Sequence, residues 1–135
     1  MHRSRQWYGG VTLTQSERII HIAGVQALED GWLPFAVGDL VAGEALPLPL
    51  GDDGGTRIVE RGGLWRHAGG ELPYARPSSS ELMYLLRGRV RVESEGGDAV
   101  EAEGGDLLIV PRGFVGSWNT IEPVLKISFS FSDGN

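Results

Sequence analysis

Short segments in which apolar and polar residues alternate follow one another from Thr56 to the end of the chain. Successive side chains of a β-strand point to opposite faces, so this alternation is typical of half-buried strands. Paired glycines separate many of the segments, and glycine adopts the backbone conformations of tight turns at little cost. The predicted strands read, in one-letter code, TRIVE, GLWRHA, ELPYAR, ELMYLLR, RVRVES, AVEAE, DLLIV and VLKISFSF.

The segments RVRVES and AVEAE form the clearest predicted hairpin, because turn-forming residues from Glu95 to Asp98 join them. Val90 and Val92 alternate with charged residues, which predicts one apolar face and one wet face. ELMYLLR and DLLIV are apolar on both faces, as expected of central strands. After DLLIV, the stretch PRGFVGSW is predicted to be a loop that turns the chain back.

Eight or more short antiparallel strands must protect their edges, and closure into a barrel or a double-sheet jelly roll does so. We therefore expect an all-β fold, a single-domain β-barrel of two antiparallel sheets. Residues 1–55 fit the pattern less well and are predicted to form an irregular N-terminal extension, with a short helix or strands and a Pro/Gly-rich loop. Residues 56–135 are predicted to form the barrel, and both parts belong to one structural domain.

The composition argues against several classes of function. The chain has no cysteine, which excludes disulfides, cysteine-bound zinc and thiol nucleophiles. Its net charge is −6 and it has no basic stripe, so we expect no nucleic-acid partner. No segment approaches the roughly twenty apolar residues of a membrane span. With no apolar stretch suited to a signal peptide either, we expect a cytoplasmic protein that does not bind membranes.

Two motifs on the predicted strands resemble a known family. Glu81 is followed by LMYLLR and Gly88, and the run GDLLIVPRG begins at Gly105. In this order they are similar to the two motifs of the cupin superfamily, the RmlC-like jelly rolls. The resemblance covers about residues 56–131 and implies a cupin jelly-roll β-barrel with a small-molecule site in its lumen.

Further motifs resemble a histidine-poor subfamily, cupin-3. The shared features are Gly63-Leu64-Trp65, Arg76-Pro77, Tyr84 to Gly88, Gly116-Ser117-Trp118 and Lys126. Most members of this subfamily have no assigned activity. The ureidoglycine aminohydrolases carry a related domain that binds manganese, but their ligand set is not reproduced in this chain.

The resemblance also indicates which metal ligands are missing. Cupins usually place His-x-His before the glutamate and another histidine after Pro-x-Gly. The alignment puts Tyr74 and Arg76 at the first two positions and Gly116 at the third, so only Glu81 is kept. An ion needs several converging ligands, and arginine would repel it. We predict no metal site and no cofactor, the remaining route to a metal being His67 beside Glu81.

Strand parity and the motif alignment together predict the lumen residues. The candidate ligand-binding residues are Tyr74, Arg76, Glu81, Trp118 and Trp65, and the candidate catalytic residues are Glu81 and His67. Arg76 would bind a carboxylate through its two-pronged guanidinium group, and Trp118 would stack on a ring or a sugar face. Glu81 would accept hydrogen bonds or act as a base.

Structural roles are open alternatives for the same side chains. Arg76 and Glu81 could neutralise each other as a buried ion pair. Trp65 and Trp118 could be core residues, and His67 could be a hydrogen-bonded structural residue. These alternatives predict a filled interior instead of a binding site.

The outer faces of two predicted strands bear on assembly. In the last strand the apolar residues are expected to face the core, which places Lys126 on the outer sheet surface or against a partner subunit. In ELMYLLR, the residues Leu82, Tyr84 and Leu86 would form an exposed apolar row. Such a row favours association, so we predict a homodimer.

Three functions fit these residues. The first is a cupin-fold binding module of unassigned specific activity, which binds a small organic ligand, such as an anionic one, without a metal. The second is a cofactor-free isomerase, epimerase or lyase that uses Glu81 with His67 or Tyr74. The third is a metal-dependent aminohydrolase or dioxygenase with non-standard ligands. The sequence leaves open whether the protein is an enzyme.

Overall fold

The structure, a computed structural model, describes residues 7–8, 11–12, 19–49, 59–75 and 77–131. Within these ranges the regular elements are β-strands and a single 3₁₀ turn at Val25–Ala27. The strands are β1 (Trp7–Tyr8), β2 (Val11–Thr12), β3 (Leu33–Val37), β4 (Leu40–Pro47), β5 (Val59–His67), β6 (Gly70–Ala75), β7 (Ser80–Ser94), β8 (Ala99–Glu103), β9 (Leu107–Val110) and β10 (Val115–Phe131). The expected all-β fold is confirmed.

Strands β3 to β10 form one hydrogen-bonded antiparallel sheet that folds over on itself. The first half of β10 pairs with β6 and with the second half of β7. The second half of β10 pairs with β5 and with the first half of β7. The two long strands therefore run through both layers of a jelly roll, with β9, β5, β4 and β3 completing one layer and β8 and β6 completing the other.

Gly88 lies where β7 passes from one layer to the other. Its φ is +96°, a conformation that favours glycine, and a Cβ there would overlap the carbonyl oxygen of Pro123 on β10. The pairing of β7 with β10 shifts register in the same region, between Thr120 and Lys126. Register shifts of this kind bend a strand, so the two layers come to face each other.

The hydrophobic core lies between the layers. Its members come from both, and they are Ala42, Trp65, Leu72, Met83, Leu85, Val90, Val92, Ala102, Val110, Trp118 and Val124. Met83 and Leu85 on β7 have no exposed surface, whereas Tyr84 between them is exposed, so the inward parity of β7 follows its sequence alternation.

The face of the last strand, β10, that points into the molecule is the opposite of the one that the sequence predicts. Lys126 is buried and lines the space between the layers together with Ser128 and Ser130. Leu125 is also buried, with 1% of its surface exposed, but on the opposite face, next to buried Leu64. The prediction that Lys126 lies on the outer sheet surface is therefore wrong.

The segment 19–32 explains why an apolar residue is buried on that outer face. Leu125 lies between Arg66 and Arg87 in the strand ladder. The guanidinium of Arg87 donates to the carbonyl of Gln26 at 2.7 Å, and that of Arg66 stacks on Trp32 at 4.1 Å. Because both neighbours contact it, the segment crosses the sheet above Leu125 and covers a second apolar layer.

Three strand predictions need correction in detail. ELMYLLR and RVRVES form one continuous strand, β7, bent at Gly88. Residues 115–118, predicted as part of a loop, belong to the first half of β10. DLLIV was expected to be central, but β9 pairs only with β7 among the described strands and leaves Leu107 and Ile109 exposed. The RVRVES–AVEAE hairpin is confirmed by the pairing of Arg89–Glu93 with Ala99–Glu103.

Part of the predicted extension joins the sheet. Strands β3 and β4 precede residue 55, yet β4 pairs with β5 from Glu44 to Pro47. The predicted proline-rich loop begins at Ala45, but β4 continues to Pro47. The rest of that loop from residue 50 and the start of TRIVE, residues 50–58, lie outside the described ranges. The described residues contain no helix long and apolar enough to cross a membrane.

Candidate functional site

A cavity of about 560 Å³ opens between the two layers of the jelly roll. Four strands supply the side chains that matter for its chemistry, and these are Trp65 from β5, Tyr74 from β6, Glu81 from β7, and Trp118 and Lys126 from β10. Each lies on the inward face because strand alternation and pairing put it there. The predicted lumen residues Tyr74, Glu81, Trp65 and Trp118 thus line one cavity.

Tyr74 and Glu81 form a hydrogen-bonded pair in this cavity. The phenol of Tyr74 donates to Oε1 of Glu81 at 2.5 Å, and both residues are half-buried. Burial, the negative charge of Glu81 and this hydrogen bond all raise the pKa of Tyr74 well above its ordinary value. Tyr74 is therefore a neutral hydrogen-bond donor that holds the carboxylate in one orientation.

Lys126 is the functional residue that strand alternation misplaced. Only 8% of its surface is exposed, and its ammonium group donates to Oγ of Ser128 at 2.6 Å. Burial lowers the pKa of Lys126 to about 8, against the opposing attraction of Glu81. The signal that could have located it is the neighbouring pattern of Ser128 and Ser130, a polar row that suits a wet lumen as well as a wet surface.

Two tryptophans form an aromatic wall beside Lys126. Its ammonium nitrogen lies 5.2 Å from the ring centre of Trp65 and 5.6 Å from that of Trp118, within the range of cation–π attraction. The two rings meet edge to face at 5.5 Å. Their indole N–H groups donate to Ala42 and Thr120 respectively, each at 2.8 Å. Both tryptophans therefore belong to the core and to the cavity wall at once.

His67 is bonded away from Glu81. Its ring stacks on Trp65 at 5.3 Å, and Nδ1 lies 2.8 Å from Oγ1 of Thr120, which also accepts the indole N–H of Trp118. Burial lowers the pKa of His67, which favours the neutral ring. His67 is not among the described residues that line the cavity, and its recorded hydrogen bond is to Thr120 and not to Glu81. Its catalytic role stays a prediction.

The position of the missing third histidine has no room for a side chain. A Cβ on Gly116 would overlap the carbonyl oxygen of Glu93 and approach the ring of Phe114 to 2.8 Å. That ring packs edge to face on Tyr74 at 5.5 Å, so Phe114 occupies the space beside Gly116. Arg76, the predicted carboxylate-binding residue, lies outside the described residues.

The described donor set does not fit the metal that cupins usually bind. No group of three or more His, Asp or Glu side chains in the described ranges could hold an ion. Glu81 is already bonded to Tyr74, and the ammonium group of Lys126, which lines the same cavity, would repel a metal ion. A histidine at position 116 would collide with backbone. The cavity is therefore a polar and aromatic site with a built-in cation.

Comparison with known families defines the class of protein. Residues 54–127 match the family model of the EutQ-like cupin domain. The chain therefore belongs to this cupin family, and the expected superfamily is confirmed. No curated protein matches the chain. The kinship to the ureidoglycine aminohydrolase domain stays a prediction.

Solved structures with low sequence identity share the fold. A Salmonella typhimurium protein assigned as ethanolamine utilization protein Q is 18% identical with a TM-score of 0.60, over 97% of this chain and 96% of its own. The EutQ protein of Clostridium difficile is 14% identical with a TM-score of 0.58, over 73% and 75%. A protein of unknown function from Acidithiobacillus ferrooxidans is 15% identical with a TM-score of 0.58, over 86% and 97%. These similarities establish the cupin jelly roll and carry no function across.

Proposed function

We propose that this cupin binds a small organic molecule with an anionic group in the inter-sheet cavity, without a metal ion. The observation that carries the proposal is the buried ammonium group of Lys126 on the cavity wall, between aromatic rings and the Tyr74–Glu81 pair. A buried charge costs free energy unless it has a partner, and the partners here leave room for an incoming anion. The described cations that line the cavity are Lys126 and Arg61.

Each wall of the cavity would recognise a different part of the ligand. Lys126 would bind a carboxylate through a charge-assisted hydrogen bond. Trp65 and Trp118 would contact an apolar or ring portion. Glu81, held by Tyr74, would accept hydrogen bonds from hydroxyl or amino groups. A hydroxy acid, a sugar acid or an aromatic acid of modest size combines these features.

The test uses the indole N–H signals of the tryptophans in two-dimensional NMR spectra. The chain has four tryptophans, and Trp32 lies on the outer face of the sheet as an internal control. Lactate, gluconate, pyruvate and benzoate would be added to protein kept in EDTA. We expect at least one acid to shift the Trp65 and Trp118 signals in a saturable manner while the Trp32 signal stays in place.

Two variants separate site binding from weak surface association. Lys126→Met removes the cation and keeps an apolar stem of similar length, so it should abolish the saturable shifts. Arg112→Met removes an exposed cation that does not line the cavity, so it should leave them intact. Equal shifts at Trp32 and Trp118, or shifts that survive in Lys126→Met, would rule the proposal out.

A second candidate function is a cofactor-free isomerase, epimerase or lyase. The short hydrogen bond between Tyr74 and Glu81 favours it, because an oriented carboxylate in a partly dry cavity suits proton transfer. Glu81 would be the base and Tyr74 its positioning residue. His67 would take part only if it left its bond to Thr120.

Substitution of Glu81 distinguishes catalysis from binding. Glu81→Gln should keep ligand binding and lower turnover of an identified substrate about a hundredfold or more. Unchanged turnover in this variant would exclude Glu81 as the acid or base.

The third candidate, a metal-dependent aminohydrolase or dioxygenase, is tested by metal analysis of protein purified without a nickel column. A stoichiometric ion would overturn the metal-free proposal.

We also propose a homodimer, in which a second copy of the chain covers the outer face of β7 and β9. Tyr84, Leu107 and Ile109 expose 40%, 62% and 65% of their surfaces there. Tyr84 is paired with Leu107 in the ladder, so the exposed side chains adjoin and form one apolar surface. Leu82 and Leu86, the other members of the predicted row, are half-buried.

Light scattering after gel filtration measures the state of assembly. The wild-type chain should elute as a dimer, and Ile109→Glu should convert it to a monomer because the charge would be buried at the contact. Ile121→Glu is the matched control, since Ile121 is an exposed isoleucine of β10 away from this surface. A monomeric wild type, or a dimer that tolerates Ile109→Glu, would contradict this interface.

We infer a cytoplasmic location from the absence of cysteine in a chain of this length. Fractionation of cells that express the tagged protein would test it, and recovery outside the cytoplasm would contradict it.

A further inference from the structure

Lys126 is the only lysine in the chain. Of 12 lysine and arginine residues the sequence has 11 arginines and this single lysine. Arginine stays protonated in proteins, whereas the lysine amine loses its proton when it is desolvated. The one cation capable of becoming a neutral nucleophile is thus the one buried in the cavity.

The burial of Lys126 favours the neutral amine. Only 8% of the residue is exposed, and the rings of Trp65 and Trp118 lie 5.2 and 5.6 Å from its nitrogen. Burial lowers the pKa of Lys126 to about 8, so about a tenth of the amine is unprotonated at pH 7, far more than at the ordinary pKa of 10.5. Desolvation by apolar neighbours is a recognised way to activate a lysine nucleophile.

The same cavity holds a proton-transfer pair. Glu81 accepts a hydrogen bond from Tyr74, and its negative charge is close enough to act on the Lys126 amine. An amine that adds to a carbonyl needs a nearby group to take up and return protons and to release water. The Tyr74–Glu81 pair lines the same cavity as the amine and would supply that group.

We propose that Lys126 forms a Schiff base with a small aldehyde or ketone that binds in the cavity. The inference rests on the proposed function, and it names the ligand class as carbonyl compounds.

The chemistry balances without a further reactant. The lone pair of Nζ adds to the carbonyl carbon, the C=O π bond breaks, and a proton moves from nitrogen to oxygen by way of Glu81. The resulting carbinolamine then loses its hydroxyl group as water with a second proton, and a C=N bond forms. One amine and one carbonyl compound yield one imine and one water, with no change in oxidation state.

Reductive trapping tests the proposal. The wild-type chain would be incubated with pyruvate, or separately with glycolaldehyde, in the presence of cyanoborohydride, which reduces an imine to a stable secondary amine. Peptide mass mapping then compares Lys126 with the α-amino group, which serves as the reference amine. We expect the adduct at Lys126 to form about tenfold faster than the adduct at the α-amino group.

Variants identify the roles of the partners. Lys126→Arg and Lys126→Met, checked for folding by circular dichroism, should both give adducts at the α-amino group only. Glu81→Gln and Tyr74→Phe should slow trapping at Lys126 about tenfold or more while reversible binding persists. Equal trapping rates in these two variants and the wild type would remove the pair from the mechanism.

The outcomes separate the two proposals. Saturable tryptophan shifts without any adduct at Lys126 would overturn the Schiff base and leave the binding function in place. An adduct that forms no faster than at the α-amino group would also overturn it. The absence of both the tryptophan shifts and an adduct would overturn both proposals.

Discussion

At the scale of single residues, Lys126 shows how surroundings decide the chemistry of a side chain. On a wet surface it would be one more cation that adds solubility. In the cavity it is 8% exposed, bonded to Ser128 and flanked by two indole rings. Its burial lowers its pKa to about 8, and the charge of Glu81 limits the fall. These surroundings support both proposals for Lys126, the binding of an anion and the attack on a carbonyl group.

The altered pKa of Lys126 predicts how stability depends on pH. The ordinary pKa is 10.5 and the folded value is about 8, so between them the unfolded chain holds more protons. The free energy of unfolding therefore rises with pH, and Lys126 should contribute a gain of about 2 kcal/mol from about pH 7 to about pH 9.5. Urea denaturation of wild type and Lys126→Met across this range measures the gain as their difference.

Tyr74 limits the upper end of that experiment. Its raised pKa keeps it protonated in the folded protein, whereas the unfolded chain ionises above about pH 10 and gains stability from doing so. Measurements should stop below this pH, so that the titration of Lys126 dominates the pH dependence of the free energy of unfolding. If the difference in the free energy of unfolding between wild type and Lys126→Met does not change with pH, then Lys126 is solvated in the folded protein.

Gly116 predicts a different kind of sensitivity. A Cβ at this position would overlap the carbonyl oxygen of Glu93, and backbone of a central strand cannot move cheaply. Gly116→Ala should therefore destabilise the protein by about 2 kcal/mol or more, measured by urea denaturation. Gly96→Ala is the matched control, because its Cβ would meet only Oγ of Ser94 at 3.8 Å. Similar losses for both variants would contradict the close approach.

Sequence reasoning identified most of this site at the residue scale. Glu81, Tyr74, Trp65 and Trp118 followed from motif alignment and alternation, because strand parity is a local property of the backbone. The Phe114 ring that fills the space over Gly116 comes from a loop, where alternation does not apply. Its position depends on how the chain returns to β10, which the local pattern does not encode.

At the scale of elements, β10 explains the one misplaced residue. Alternation assigns side chains to two faces but does not say which face is the interior. In β10 Leu125 lies between Arg66 and Arg87, which contact the segment 19–32, and the polar set faces the cavity. The assignment was reversed because both faces of this sheet are covered, one by a second layer and one by the N-terminal segment.

The bend in β7 gives a prediction about Gly88. It combines a φ of +96° with a close approach, since a Cβ would overlap Pro123 and lie 2.6 Å from Cα of Val124. Gly88→Ala should destabilise the fold by about 3 kcal/mol or more in a urea titration. Gly105→Ala isolates the backbone term, because Gly105 has a φ of +98° with nothing within 4 Å of its Cβ position. The control should lose only about 1 kcal/mol. Equal losses would mean that Gly88 is needed for its φ alone and not for strand contact.

The long strands were harder to predict than the short ones. The central Gly88 reads as a turn in sequence, yet the structure uses it to bend one strand between two layers. In the same way, the glycine at 116 and Pro123 hide the strand character of residues 115–123. A glycine within a strand marks either a turn or a close approach, and the choice depends on the partner strand.

At the scale of the whole molecule, the protein is a cupin whose cavity is lined by Glu81, its partner Tyr74 and the amine of Lys126. Most of the barrel is where the family motifs predict it, and the match to the EutQ-like cupin domain covers residues 54–127. The exchange of ligands is consistent across the cavity: a tyrosine binds the carboxylate, a glycine leaves no side chain, and an ammonium group supplies the positive charge. These changes together favour organic anions or carbonyl compounds over metal chemistry.

The most direct test of this account is the NMR signal of Lys126 in protein freed of metal with EDTA. Because it is the only lysine, isotope-labelled lysine yields one side-chain resonance to follow with pH and with added carboxylates. The account predicts a midpoint near pH 8 and a shift of the resonance on addition of pyruvate or gluconate. A lysine that titrates near its ordinary value of 10.5 and does not respond to these acids would contradict it.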